Sequence, residues 1–316
     1  MIGRRVRLPV DAEIASALLD GKSPECLIET ETEARAVSLW FGASWSGDPA
    51  EPDDPGPHGN HEELVLMAAD VAQMAAHPTD YNDEAFWPGL RMRAQSALAA
   101  RRQVPPVIHR KGFRRDDIEV VHRSLPYARY FDLEDVRLRH PTFSGGMSDT
   151  ILRSCLRAAD AVTVLPYDPA TDQVLLVEQF RPGAFSRGDP NPWVLEPVAG
   201  RVDRIEAPEE VAHREAKEEA GLDLYQLEKI AGYYPSPGAM TEYLTSFLGL
   251  CHLADHDEGV HGLETEAEDI CTHILSFAAA MDLLSTGEAD NGPLLLSLYY
   301  LQANRARLRG ADVANV

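Results

Sequence analysis

Hydrophobic and polar positions follow two different periods along this chain. In the first third, apolar residues recur at three- to four-residue spacing, which predicts helices over 62–76 and 84–102 and a shorter one over 11–19. The run A-V-S-L-W-F at 36–41 lacks that spacing and predicts a strand. From about Asp117 the period shortens to two. Segments 118–122, 127–131 and 136–140 predict short strands parted by polar turns, and 161–167 with 173–179 flank D-P-A-T-D as a hairpin. Further strands are predicted over 193–197, 229–234 and 245–252, with a last helix over 293–309. Strands on both sides of a central helix, closed by a C-terminal helix, describe an α/β/α sandwich with a mixed sheet. A smaller N-terminal α+β region precedes it.

Composition changes this picture in two places. Residues 42–60 are dense in Gly, Pro and Asp and read as a linker or long surface loop inside an N-terminal region, 1–105, that carries no chemical constellation. The second region, 106–316, holds the strand-rich pattern. A net charge of −22 disfavours nucleic acid or an anionic membrane as partner. It leaves a phosphate-bearing small molecule open, because divalent cations invert the local field. No apolar run is long enough to span a bilayer, and the N-terminal charges are followed by no apolar secretory stretch. The four cysteines lack C-x-x-C spacing, so a reducing cytoplasm is the expected setting.

The chemistry concentrates in residues 200–222, G-R-V-D-R-I-E-A-P-E-E-V-A-H-R-E-A-K-E-E-A-G-L. Pro208 suits a first helical turn and Gly221 a helix end. Val211, Ala212, Ala216 and Ala220 make an apolar stripe that can lie on a sheet. Glu215, Glu218 and Glu219, at i, i+3 and i+4, crowd one side of the same helix, where like charges repel unless a cation sits among them. Hard oxygen donors in a compact set suit Mg²⁺ or Mn²⁺, which also bridge phosphate oxygens. Arg214 is placed to pair with Glu206. A charge run of this kind is usually only a solvated face. Gly200, Arg214 and Gly221 at fixed spacing favour the metal site instead.

That spacing, G-x5-E-x7-R-E-(apolar)-x-E-E-x-G-(apolar), resembles the box of the Nudix hydrolases. Flanking stretches resemble the family's ADP-ribose pyrophosphatase branch: L-L-V-E-Q-F-R-P-G-A-F at 175–185, P-W-V-L-E-P-V-A-G at 192–200, Y-Y-P-S-P-G-A-M-T-E at 233–242 and G-L-E-T-E-A-E-D-I at 262–270. The resemblance implies metal-dependent hydrolysis of ADP-ribose to AMP and ribose 5-phosphate. It assigns the metal to Glu215, Glu219, the carbonyl of Ala199, Glu218 and Glu268. Glu266 would be the general base, with Glu268 the alternate and Glu218 and Arg214 beside them. Arg181 would hold the diphosphate. Ser236, Pro237, Gly238 and Glu242 would receive the terminal ribose, and Arg153 of a partner subunit would lie over the adenine. The branch is typically a homodimer built through N-terminal strands, here within 117–140.

Ala239-Met240 departs from the small or polar residues commoner in the branch, which leaves the sugar open. Another nucleoside diphosphate sugar such as GDP-mannose, or the unknown substrate of a tellurite-resistance-associated relative, is the alternative. A ligand sensor without catalysis is disfavoured, since such modules usually break the box acids, and all of them stand here.

Overall fold

The computed structural model describes residues 2, 5–8, 10, 12–23, 25–41, 60–75, 86–104, 106–128, 131–202, 206–262 and 268–311. The expected linker at 42–60 therefore lies outside the described residues except for Asn60. Two compact units emerge, Met1–Ala159 with Ser236–Thr241, and Asp160–Pro235 with Glu242–Val316.

The first unit opens with β1 (Arg5–Arg7), α1 (Ala12–Leu18) and β2 (Glu25–Leu27), the strands pairing antiparallel. Helices α2 (Glu31–Phe41), α3 (His61–Ala75) and α4 (Phe86–Arg102) follow, then β3 (Glu119–Ala128), β4 (Asp132–Arg139) and β5 (Ile151–Arg157) in one antiparallel sheet. The strand predicted over 36–41 is a helix. Thr30 and Glu33 form a capping box: the Glu33 amide donates to Thr30 Oγ1 (3.1 Å), and Glu33 Oε2 accepts from the Thr30 amide (3.1 Å). Once the helix starts there, Ala36, Val37 and Trp40 fall on one buried face. Likewise the strands expected at 118–122 and 127–131 meet in one long β3, which continues past Pro126 to Ala128 across a register shift between Ser124 and Tyr127, with residues 129 and 130 outside the described ones. Leu125 and Ala128 join the helical core, so sheet and helices share one interior.

The second unit is built from β6 (Ala161–Asp168), β7 (Gln173–Phe180), α5 (Pro182–Arg187), β8 (Trp193–Glu196), β9 (Val198–Arg201), α6 (Pro208–Ala220), β10 (Gln226–Tyr233), β11 (Leu244–Leu250), β12 (Val260–His261), β13 (Ile270–Ser276), α7 (Phe277–Thr286) and α8 (Gly292–Ala311). The sheet runs β10-β11-β6-β7-β13-β12, with β8 on β7 and β9 on β6; β11 and β6 are parallel and the other pairs antiparallel. Alternate residues of the central strands go to opposite layers. Val162, Val164, Leu175 and Val177 meet Val211, Ala212, Ala216 and Ala220 of α6. Leu165, Tyr167, Val174 and Leu176 meet Ala280 and Leu283 of α7 and Leu294, Leu298 and Leu301 of α8. Burial on both faces is why these strands read as nearly continuous apolar runs, and the result is the α/β/α sandwich with a mixed sheet. The last helix is clamped by charge: Asp172 accepts from Arg305 Nε (2.9 Å) and Tyr167 Oη (2.8 Å), and Arg307 Nη1 donates to Glu228 Oε2 (3.1 Å). No helix among the described residues is long and apolar enough to cross a membrane.

Candidate active site

Helix α6 carries the acids, and its ends are set by local chemistry. Pro208 occupies the first turn, and the Glu210 carboxylate reaches back to accept from the Ala207 amide at 2.8 Å. Gly221 ends the helix in the left-handed region (φ 65°), its amide donating to Lys217 O at 3.0 Å. The apolar stripe buries against the sheet, so Arg214, Glu215, Glu218 and Glu219 project from the flank that faces β9 and Glu206. His213 is exposed, as a surface position should be.

Glu219 is only 3% exposed, and its Oε2 accepts from the Ala199 amide at 3.0 Å. Burial, reinforced by the neighbouring charges of Glu215 and Glu268, pushes its carboxyl up to about 8, against the opposing Ala199 amide and Arg181 guanidinium. Arg214 gathers the other acids: its Nη1 lies 2.8 Å from Glu215 Oε1 and 3.0 Å from Glu218 Oε2, and its Nε 3.4 Å from Glu206 Oε2. The expected Arg214–Glu206 pair is therefore present, together with two contacts the spacing did not reveal. With Arg214 drawing Glu215 and Glu218 to itself, no three metal-ligating side chains among the described residues converge on one point. The donor chemistry nevertheless fits a hard divalent cation: four carboxylates share this region, and the most buried one has no positive partner in contact among the described residues.

Gly200 explains itself here. A Cβ on it would meet Glu215 Oε1, Cδ and Cγ at 1.9, 2.0 and 2.3 Å, so the Glu215 side chain lies directly over this backbone. Gly200→Ala must therefore displace Glu215 while leaving an ordinary strand backbone. The expected result is a roughly 10- to 100-fold loss of kcat/KM with a thermal midpoint equal to the parent's or higher, because Ala also restricts the unfolded chain. Unchanged kinetics would show that the Glu215 carboxylate is not needed where it lies.

Arg181 follows β7 and bonds through Nε to Glu196 Oε2 at 2.6 Å. Burial raises the Glu196 carboxyl, opposed by Arg181 and aided by Asp290. Glu242 is also raised by burial; Arg201 and Arg181 oppose the shift and Asp160 adds to it. Thus Arg181 acts electrostatically on Glu196, Glu219 and Glu242 together. Glu196, Asp160 and Arg201 escaped the sequence reading. Only the termination of an apolar strand by a charge, W-V-L-E, hinted at the first of them.

The remaining expected residues divide as follows. Glu268 lies against Gly262, whose Cβ would meet Glu268 Cβ at 2.8 Å in a left-handed turn (φ 103°). Glu266 lies outside the described residues. Ser236, Pro237 and Gly238 form an exposed turn of the first unit, with the amides of Ala239 and Met240 donating to Ser236 O at 3.0 Å. That turn is tied to β5 through Leu156 N to Ala239 O (2.8 Å). Arg153 is exposed on β5, its Nη1 donating to Leu152 O at 2.8 Å.

Comparison with known proteins locates a NUDIX domain over residues 157–298, which contains the whole acid cluster. An ADP-ribose pyrophosphatase of Haemophilus influenzae is 36% identical over 211 residues, covering 66% of this chain and 95% of that protein. A GDP-mannose pyrophosphatase of Enterobacter sp. (strain 638) is 30% identical over 185 residues, covering 58% of this chain and 95% of that protein. A solved ADP compounds hydrolase covers 60% of this chain and 96% of its own at 20% identity, with a TM-score of 0.46. Identity sustained along nearly the whole of a known pyrophosphatase, with the acid helix inside the matched domain, marks common descent: the chain belongs to the Nudix hydrolases, in their ADP-ribose pyrophosphatase branch, and is a hydrolase of phosphorus anhydrides.

Proposed function

We propose that the protein hydrolyses the diphosphate of ADP-ribose to AMP and ribose 5-phosphate in a divalent-metal-dependent reaction, with Mg²⁺ as the ion and Mn²⁺ as its substitute. The observation that carries this reading is Glu219, a buried carboxylate among carboxylates, whose ionised form requires a cation beside it. Glu215, Glu218, Glu219, Glu268 and the Ala199 carbonyl are the residues that would hold it. A bound divalent cation neutralises the diphosphate and makes phosphorus more open to attack.

The chain's own groups do the rest. Arg181, held in orientation by Glu196, takes the substrate's phosphate oxygens. Arg214 keeps Glu215 and Glu218 against the helix. Glu266 accepts the proton of the attacking water as its oxygen bonds to phosphorus and the anhydride P–O bond breaks. Glu242 accepts from hydroxyls of the terminal sugar. The similarity to a GDP-mannose pyrophosphatase supports a second reading, with another nucleoside diphosphate sugar in the same site. A cytoplasmic homodimer completes the proposal. Its support is the sheet β3–β5, which leaves Tyr127, Leu133 and Leu152 exposed.

Turnover of ADP-ribose, ADP-glucose, GDP-mannose, UDP-glucose, NADH and diadenosine polyphosphate with Mg²⁺, Mn²⁺ and EDTA decides among these. An EDTA-sensitive preference for ADP-ribose is expected. Preference for GDP-mannose would favour the second reading, and activity that survives EDTA would remove the metal from both.

A further inference from the structure

One end of the sheet carries charged residues that diphosphate cleavage leaves unused. Ala161 opens β6 and is paired with Arg201 of β9 on one side and Leu244 of β11 on the other. The Val202 amide donates to Asp160 O at 3.0 Å, and the Ala161 amide to Tyr243 O at 3.1 Å. These pairings set Asp160, Arg201 and Glu242 at the same end of three neighbouring strands. Glu242 is half-buried and, among the described residues, makes neither a hydrogen bond nor an ion pair. A partly desolvated carboxylate without donors is costly unless a ligand supplies them. Arg201 is the cation that acts most strongly on it, ahead of Arg181. Arg201 therefore belongs with Glu242 at this end of the sheet, where Arg181 acts on it as well.

We propose that Arg201, together with Asp160 and Glu242, recognises the terminal sugar of the substrate, and that Arg201 is a specificity-determining residue. This rests on the reading of the site as one for a nucleoside diphosphate sugar. A sugar hydroxyl both donates and accepts. Glu242 and Asp160 supply acceptors only, and the Arg201 guanidinium supplies donors only, so the three match a polyhydroxylated group from both sides. A terminal phosphate, which can only accept, would meet two carboxylates here, whereas a hydroxylated sugar finds both acceptors and donors.

The test compares Arg201→Met and Arg201→Lys with the parent on two substrates: ADP-ribose, and the methyl ester of ADP, which keeps base and diphosphate but has no terminal sugar. Arg201→Met is expected to raise KM for ADP-ribose about 10- to 100-fold, with kcat within about threefold and KM for the ester unmoved. Arg201→Lys should recover part of the loss. An equal rise for both substrates, or none for either, overturns the assignment. Calorimetric binding of ADP-ribose to parent and variants gives the same comparison without turnover. A parent that binds ADP-ribose through Arg201 but cleaves no sugar nucleotide would defeat the functional reading and leave this one standing. Should Arg201→Met fail to fold, Arg201→Lys and Arg201→Gln carry the same comparison.

Discussion

Glu219→Gln is expected to lower kcat/KM by about 10³-fold or more, while the thermal unfolding midpoint stays where it was or rises. The two halves of this expectation come from the same geometry. Glu219 is buried, and Glu215 and Glu268 act on it as like charges. Its ionised form therefore burdens the fold until a cation arrives. Glutamine keeps the shape and keeps an oxygen for the Ala199 amide, now 3.0 Å away, so no buried donor is orphaned. What it removes is the charge, which is the part that chemistry needs. A second measurement separates this from a general loss of function: Mg²⁺ should raise the midpoint of the parent, by about 2.7 kcal/mol of stability at 100 times its dissociation constant, and should do far less for the variant. Near-normal turnover by Glu219→Gln would sink the metal assignment.

The acid helix was legible in the sequence because its information is local. Pro208, Gly221 and the spacing of Glu215, Glu218 and Glu219 fix the helix, its end and its charged flank without any distant partner. The core strands β6, β7 and β11 were legible for a similar reason, since burial on both faces writes itself as an apolar run. What escaped depends on partners far along the chain. Glu196 becomes part of the site only because β8 pairs with β7 and brings it to Arg181. Arg201 and Glu242 share a sheet end only because β9 and β11 flank β6. Strand β13 was missed although it pairs along the length of β7: I-C-T-H-I-L-S alternates weakly, with Ile270 and Thr272 buried and Cys271 exposed. The error at 36–41 has the opposite origin. Its signal, the Thr30–Glu33 box, lies just outside the apolar run.

Arg157→Met is expected to cost the first unit about 3–5 kcal/mol at pH 8. Arg157 grips Asp70 with both guanidinium nitrogens, at 2.9 and 2.7 Å, and stands 3.8 Å from Asp132 Oδ2. Asp132 is wholly buried, and its other cation is Arg93, at 2.7 Å. Burial pushes the Asp132 carboxyl from its ordinary 3.8 up to about 6 even with both arginines beside it. Without Arg157, Asp132 is left with Arg93, and its buried charge is relieved by protonation. The sign follows. A carboxyl whose folded value is raised contributes its stability in full below its unfolded value and loses it as pH rises through the folded one. The deficit of Arg157→Met should therefore be largest at pH 8 and shrink towards pH 4, read from denaturant unfolding at both. Adding Asp70→Asn should restore part of the loss, because the pair is coupled. A deficit under about 1 kcal/mol at pH 8 would mean that water already solvates these groups. The same pairs bear on how the chain can be cut. Asp70 sits on α3 and Arg93 on α4, whereas Asp132 and Arg157 sit on β4 and β5. A break near residue 105, where composition changes, would part Asp70 from Arg157 and Asp132 from Arg93, and strip Leu125 and Ala128 of the helical core they share. The helices are thus bound to the sheet by charge as well as by apolar burial, and the pH dependence of Arg157→Met measures the first of these bonds.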